Sequence, residues 1–153
     1  MVYDIPGSGQ VELKTIILDL NGTISVKGKL VDGVKERLQK LKGLGYQIIL
    51  FTGNTRDDAD SIAKELAIEW RQAKTAEDKR DEALGLEPET CVSIGNGLID
   101  TELMKVVKLR IVTLQAEGVH VETLLNSNVV VPSINDALDM LIDPDTLIAT
   151  LRR

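Results

Sequence analysis

The chain has 153 residues, 43% of them hydrophobic and 27% charged, proportions that exclude disorder over its whole length. A net charge of -6 excludes a general nucleic-acid binder, which needs a basic stripe to neutralise phosphates. No apolar run nears the ~20 residues of a bilayer-crossing helix, and the single cysteine, Cys91, allows neither an intrachain disulfide nor a cysteine-built zinc site.

The length predicts one domain over residues 1–153. The start, Met1-Val2-Tyr3-Asp4-Ile5-Pro6, has no signal-peptide pattern, so a reducing cytoplasm is the expected compartment. Val11–Leu18 opens the core with the continuous apolar run Thr15-Ile16-Ile17-Leu18. Val34, Leu38 and Leu41 then recur at helical spacing, with Gly43 and Gly45 closing that helix. Gln47–Phe51, Thr90–Ile94, Leu109–Val112 and Asn128–Val131 are further continuous apolar runs. Strands apolar on both faces belong in a parallel sheet covered by helices on each side. Thr55 with Asp58, and Ser133 with Asp136, have the spacing of helix starts, and Asp143-Pro144 opens a last helix reaching Leu151. The pattern predicts an α/β fold, a doubly wound, Rossmann-like parallel sheet with helices on both faces.

Ligands of such sheets bind at the carboxyl ends of the strands. The first run ends in Asp19-Leu20-Asn21-Gly22-Thr23, which sets a carboxylate at a buried strand tip. The second ends in Thr52-Gly53-Asn54, a hydroxyl and backbone amides suited to phosphate. A later one ends in Gly95-Asn96-Gly97-Leu98-Ile99-Asp100, an amide oxygen and a carboxylate four residues apart. Hard oxygen donors of this kind, Asp19, Asn96 and Asp100, suit magnesium. Each segment also has a plainer reading. Asn21-Gly22 is a strong hairpin signal, with Thr15–Leu20 and Thr23–Val26 as its arms, and the other two are good turns in themselves.

Taken in this order, the three segments resemble the motifs of the haloacid dehalogenase superfamily of phosphotransferases. Asp19–Thr23 resembles its first motif, Thr52-Gly53 its second and Gly95–Asp100 its fourth. Lys79 is the residue most similar to its third-motif lysine, and Lys74 is a rival. Ile5-Pro6-Gly7, Asn21, Gly95-Asn96-Gly97 and Pro132–Leu138 resemble the small soluble P-type ATPase-like members in particular. The resemblance implies a magnesium-dependent phosphatase or phosphotransferase. Asp19 would take the phosphoryl group as an aspartyl-phosphate, and Thr52, Gly53 and Lys79 would hold its oxygens. Magnesium would lie among Asp19, the Asn21 backbone carbonyl, Asn96 and Asp100. The substrate would be a phosphorylated small molecule or a phosphoprotein, with no nucleic acid or membrane involved.

The chain departs from the usual pattern in three places. Asn21 stands where a catalytic acid/base aspartate is usual, Asn96 where a metal-binding aspartate is usual, and Ile99 where an asparagine is usual. A phosphate-sensing or interaction protein on a weakened site is therefore the alternative. Ile24–Phe51 and Thr55–Asp78 are 28 and 24 residues long and already carry regular elements, so neither gap holds a cap domain. Capless relatives often cover the site with a second copy, which implies a homo-oligomer. Of the remaining residues, Cys91 is expected in the core, His120 in a structural or surface role and Trp70 against the sheet edge. The Lys74–Asp81 charge run is expected as a solvated helix face.

Overall fold

A computed structural model describes residues 1–153. Six strands form one parallel sheet: β3 (Thr15–Asp19), β6 (Gln47–Thr52), β7 (Glu69–Gln72), β8 (Cys91–Gly95), β9 (Leu109–Thr113) and β10 (Val129–Val131). Their order across the sheet is β10-β9-β8-β3-β6-β7. Two antiparallel hairpins stand apart from it, β1 (Val2–Ile5) with β2 (Gly9–Glu12), and β4 (Ser25–Val26) with β5 (Lys29–Leu30). The helices are α1 (Val34–Gly43), α2 (Arg56–Leu66), α3 (Ala76–Leu84), α4 (Thr101–Met104), α5 (Val121–Leu125), α6 (Ile134–Ile142) and α7 (Pro144–Leu151).

The doubly wound α/β architecture follows from the strands themselves. All of β3 except Asp19 is buried, so both faces of the sheet need a cover. On one face, Ile16, Leu18, Ile48, Leu50, Val92 and Ile94 pack with Leu38 and Leu41 of α1, Leu66 of α2, Leu138 of α6 and Leu147 of α7. The other face is thinner: Ile17, Ile49, Phe51 and Cys91 meet Ala83 of α3 and Leu103 of α4. From β3 the chain winds outward through β6 and β7, then crosses back to continue from β8 on the other side. The reversal places a crevice at the carboxyl ends of β3 and β8.

Several boundaries differ from the sequence reading. Val11 and Glu12 belong to the β1–β2 hairpin, and the core strand starts only at Thr15. Asn21-Gly22 does not join two hairpin arms, because Thr15–Asp19 is taken up by its parallel neighbours β6 and β8. The hairpin lies further on, with Ser25 paired to Leu30 and Val26 to Lys29. Trp70 sits within edge strand β7 rather than packing against its side, and its indole N–H donates to Asp60 Oδ1 at 2.6 Å. The chain between β3 and β8 holds β4, β5, α1, β6, α2, β7 and α3 and no inserted cap domain.

Candidate active site

Asp19 ends β3 at the crevice. Its Oδ1 accepts a hydrogen bond from Lys79 Nζ at 2.8 Å, and the same ammonium donates to Asp100 Oδ1 at 2.8 Å. Lys79 is 1% exposed, so it is no part of a solvated helix face. The start of α3 explains this. Thr75 accepts the Asp78 N–H while the Asp78 carboxylate accepts the N–H groups of Thr75 and Lys74, which fixes the first turn. Lys79 and Ala83, one turn apart, are then the two residues that α3 buries. Lys74 lies exposed before the helix, and Lys79 is the lysine that contacts Asp19.

The electrostatics follow from burial. Loss of water pushes the Asp19 carboxyl up to about 6, and the Asp100 charge adds to this while Lys79 opposes it. Burial pulls the Lys79 ammonium pKa down, but the charges of Asp100 and Asp19 outweigh it and hold the group protonated well above its usual range. Both Asp100 oxygens are engaged: besides the Lys79 contact to Oδ1, Oδ2 accepts the N–H groups of Asn96 at 3.0 Å and Gly97 at 3.2 Å. The carboxylate folds back so closely on its loop that a Cβ at position 95 would collide with it, so Gly95 is required there.

The other side of Asp19 is built from amides. Thr23 Oγ1 donates to Asp19 Oδ2 at 3.3 Å and lies 3.5 Å from Asn96 Oδ1, so both oxygens flank one hydroxyl. Gly22, at φ +80°, turns the chain, with its N–H donated to Ser25 O and the Ser25 N–H donated to Leu20 O. These bonds leave the Asn21 carbonyl unused, while the Asn21 side chain donates to Asn54 Oδ1 at 2.9 Å. On β6, the buried Thr52 hydroxyl accepts the Asn54 N–H at 3.1 Å, which keeps its own proton free for a ligand; Gly53 beside it is exposed. A hollow of about 340 Å³ adjoins this side, walled by Asn21, Ser25, Asn54, Asp58 and Ser61. Two larger hollows, of about 410 and 460 Å³, lie away from Asp19, the first beside β10 and the second at the amino-terminal ends of β3 and β6.

The structure thus brings Asp19, Lys79, Asp100, Asn96, Asn21 and Thr52 to one edge of the sheet. It adds one residue that the sequence reading did not name. Glu117, in the loop after β9, places Oε2 3.4 Å from Asn96 Nδ2. The available signal was an Asp/Glu-Gly pair just past the end of a core strand. His120 accepts the Glu122 N–H at the start of α5, in keeping with a structural role. No three His, Cys, Asp or Glu side chains converge on a common point anywhere in the chain. Any metal here would have to draw on amide and backbone oxygens as well.

No family model matches the chain. Two uncharacterized proteins of Methanocaldococcus jannaschii are similar over segments, one 44% identical over 61 residues and the other 67% identical over 27. These matches cover 40% and 18% of the chain and 66% and 61% of the two proteins, so the chain spans just under two thirds of the curated relatives it matches. Among solved structures, a 3-deoxy-D-manno-octulosonate 8-phosphate phosphatase from Moraxella catarrhalis, in complex with magnesium, phosphate and KDO, superposes with TM-score 0.70 at 22% identity, covering 92% of this chain and 94% of that one. The cobalt-bound deoxy-D-mannose-octulosonate 8-phosphate phosphatase from Haemophilus influenzae gives TM-score 0.71 at 13% identity, with 90% and 89% covered. A protein from Streptomyces avermitilis assigned to the HAD family hydrolases gives 0.65 at 18%, with 83% and 81% covered.

Proposed function

We propose that this chain, whose fold is that of the haloacid dehalogenase hydrolases, is a magnesium-dependent phosphatase or phosphotransferase that works through an aspartyl-phosphate on Asp19. The observation that carries the reading is the buried lysine bridge. One ammonium holds the strand-end carboxylate and a second carboxylate at 2.8 Å each, at the crevice where the sheet reverses. A positive charge fixed beside a nucleophile in a water-poor site is what phosphoryl transfer needs from a protein.

In this reading an Asp19 oxygen bonds to phosphorus as the bond to the leaving oxygen breaks, and water later attacks the phosphoryl group and releases phosphate. Lys79, the Thr52 hydroxyl and the Gly53 amide hold the non-reacting oxygens. Asp100 keeps Lys79 charged and in place. The donors present fit magnesium: Asp19 Oδ2, Asn96 Oδ1 and the unused Asn21 carbonyl are all hard oxygens. The sequence reading also gave Asp100 to the metal, but its oxygens are engaged by Lys79 and two amides. When bound, magnesium would offset the negative charge between Asp19 and an incoming phosphate.

The substrate is a phosphorylated small molecule or a phosphoprotein admitted by the open crevice. Its leaving group needs no proton, because the Asn21 amide has none to give. In the same reading residues 1–153 form one capless domain that resembles the soluble P-type ATPase-like proteins, acts in a reducing cytoplasm and assembles with copies of itself. A screen of acyl and aryl phosphates with and without magnesium tests the proposal. Turnover or phosphorylation lost in Asp19→Asn supports it; activity equal in wild type and Asp19→Asn overturns it. One observation favours phosphate sensing instead: the Asn21–Asn54 amide pair stands at the position where acid/base chemistry would occur. Tight binding of beryllium fluoride with no turnover of any phosphate would support that reading.

A further inference from the structure

Asparagine at position 96 is a neutral donor, and the structure shows what surrounds it. Asn96 is 3% exposed. Its two amide hydrogens are directed to Gly118 O at 3.1 Å and Glu117 Oε2 at 3.4 Å. With both hydrogens taken from outside, Oδ1 is left turned toward Thr23 and Asp19. The backbone reinforces this arrangement, because the Asn96 carbonyl accepts the His120 N–H at 3.0 Å. The loop after β9 is therefore tied to Asn96 through both main chain and side chain.

Gly22 reports the same contact from a third loop. A Cβ there would run into the Glu117 carboxylate and stand 3.0 Å from Asn96 Nδ2. Glu117 makes no ion pair with any lysine or arginine. Among the linked side chains Asp19, Asp100, Glu117 and Lys79, three carboxylates face one ammonium, and Asp58 lies in the adjoining hollow, so the crevice carries a surplus of negative charge.

We propose that Glu117 is a positioning residue for the metal: by accepting one Asn96 amide hydrogen, beside the Gly118 carbonyl that accepts the other, it helps to aim Oδ1 inward, and it returns just behind that amide the negative charge that asparagine lacks. The inference rests on the magnesium reading above. Partners that orient a metal ligand in this way typically change metal affinity ~10–100-fold when removed. A carboxylate accepting from an amide N–H also draws electron density onto the amide oxygen, which strengthens it as a donor. The Gly22 turn, the Asn96 loop and the Glu117 loop then meet at one point, with glycine favoured at position 22 by its φ of +80°.

The test is magnesium binding by isothermal calorimetry, with the melting temperature in EDTA as a check on folding, for wild type, Glu117→Gln, and the double variant Asn96→Asp with Glu117→Gln. The expected result is a loss of about tenfold or more in magnesium affinity for Glu117→Gln, with an unchanged melting temperature in EDTA. In the double variant the charge is moved inward, and affinity returns to the wild-type level or better. Wild-type affinity in Glu117→Gln overturns the inference, as does a double variant that binds no better than Glu117→Gln. If wild type itself binds no magnesium, the metal reading fails and this inference falls with it, an outcome distinct from the other two.

Discussion

Two halves of the site meet at Asp19 and are built differently. On the α3 side, Lys79 and Asp100 are almost fully out of water, their hydrogen bonds are short, and every carboxylate oxygen of Asp100 has a partner. On the loop side, Asn21 is exposed, the side-chain contacts of Asn96 run from 3.1 to 3.5 Å, and Glu117 is an exposed carboxylate without a cation. The first half is complete in the polypeptide alone. The second presents amide and carboxylate oxygens to the open crevice, the donors that the magnesium reading assigns to the cation. Removing a residue from the first half should therefore cost folding stability, whereas changes in the second should alter chemistry and metal binding while leaving the fold intact.

The largest expected effect is Lys79→Met. It leaves Asp19 and Asp100 facing each other without their shared ammonium, and breaking a buried pair in this way costs ~3–5 kcal/mol. Urea denaturation measures it, with Lys74→Met as the exposed control and an expected change within ~0.5 kcal/mol. Equal effects in the two variants would dissolve the contrast between the halves.

The next effect is on pH dependence in EDTA. The folded Asp19 carboxyl keeps its proton to about pH 6 against an ordinary value of 3.8, so between those values the folded state binds more protons than the unfolded one. Stability must then fall as pH rises through that window, by an amount on the order of 3 kcal/mol, and level off above it. The stability difference between wild type and Asp19→Asn, followed from pH 4 to 7, should decline accordingly. A difference that grows with pH would reverse the assigned cause.

On the loop side, Asn21→Asp should raise turnover of an aryl phosphate ~10-fold or more, because it restores an acid/base group where the amide now stands. No gain in that variant would favour phosphate sensing. The smallest effect is Thr75→Ala, which removes the cap that fixes the start of α3 and should cost ~1 kcal/mol. A concurrent weakening of beryllium fluoride binding would show that this cap helps to aim Lys79.

The same contrast explains what could be read from the sequence. Strands β3, β6, β8 and β9 are covered on both faces, so they appear as mainly apolar runs, interrupted only by Ser93 and Arg110, and the carboxyl-terminal tips of the central ones mark the crevice. Edge strand β7, Glu69-Trp70-Arg71-Gln72, carries no such run, because part of each residue stays in water. The hairpin of β4 and β5 has two residues per strand, too few for any periodicity. Asn21-Gly22 suggested a hairpin because the local turn preference is the same whether the preceding strand pairs with the next segment or with distant ones. Lys79 lies in a charge run whose other members face solvent, and only the packing of α3 on the sheet sets it apart. Glu117 had no periodicity to reveal it, since it reaches Asn96 through a loop fold that joins residues 21 positions apart.

The phosphatase reading requires that Asp19 accept a phosphoryl group. Incubation with acetyl phosphate and magnesium, followed by acid quench and mass spectrometry of the peptide that contains Asp19, tests it most directly. The account predicts a gain of one phosphoryl mass on that residue in wild type, slow to decay because the Asn21 position lacks a base, and none in Asp19→Asn. An unmodified Asp19 peptide in wild type, or a phosphoryl group that persists in Asp19→Asn, would contradict it.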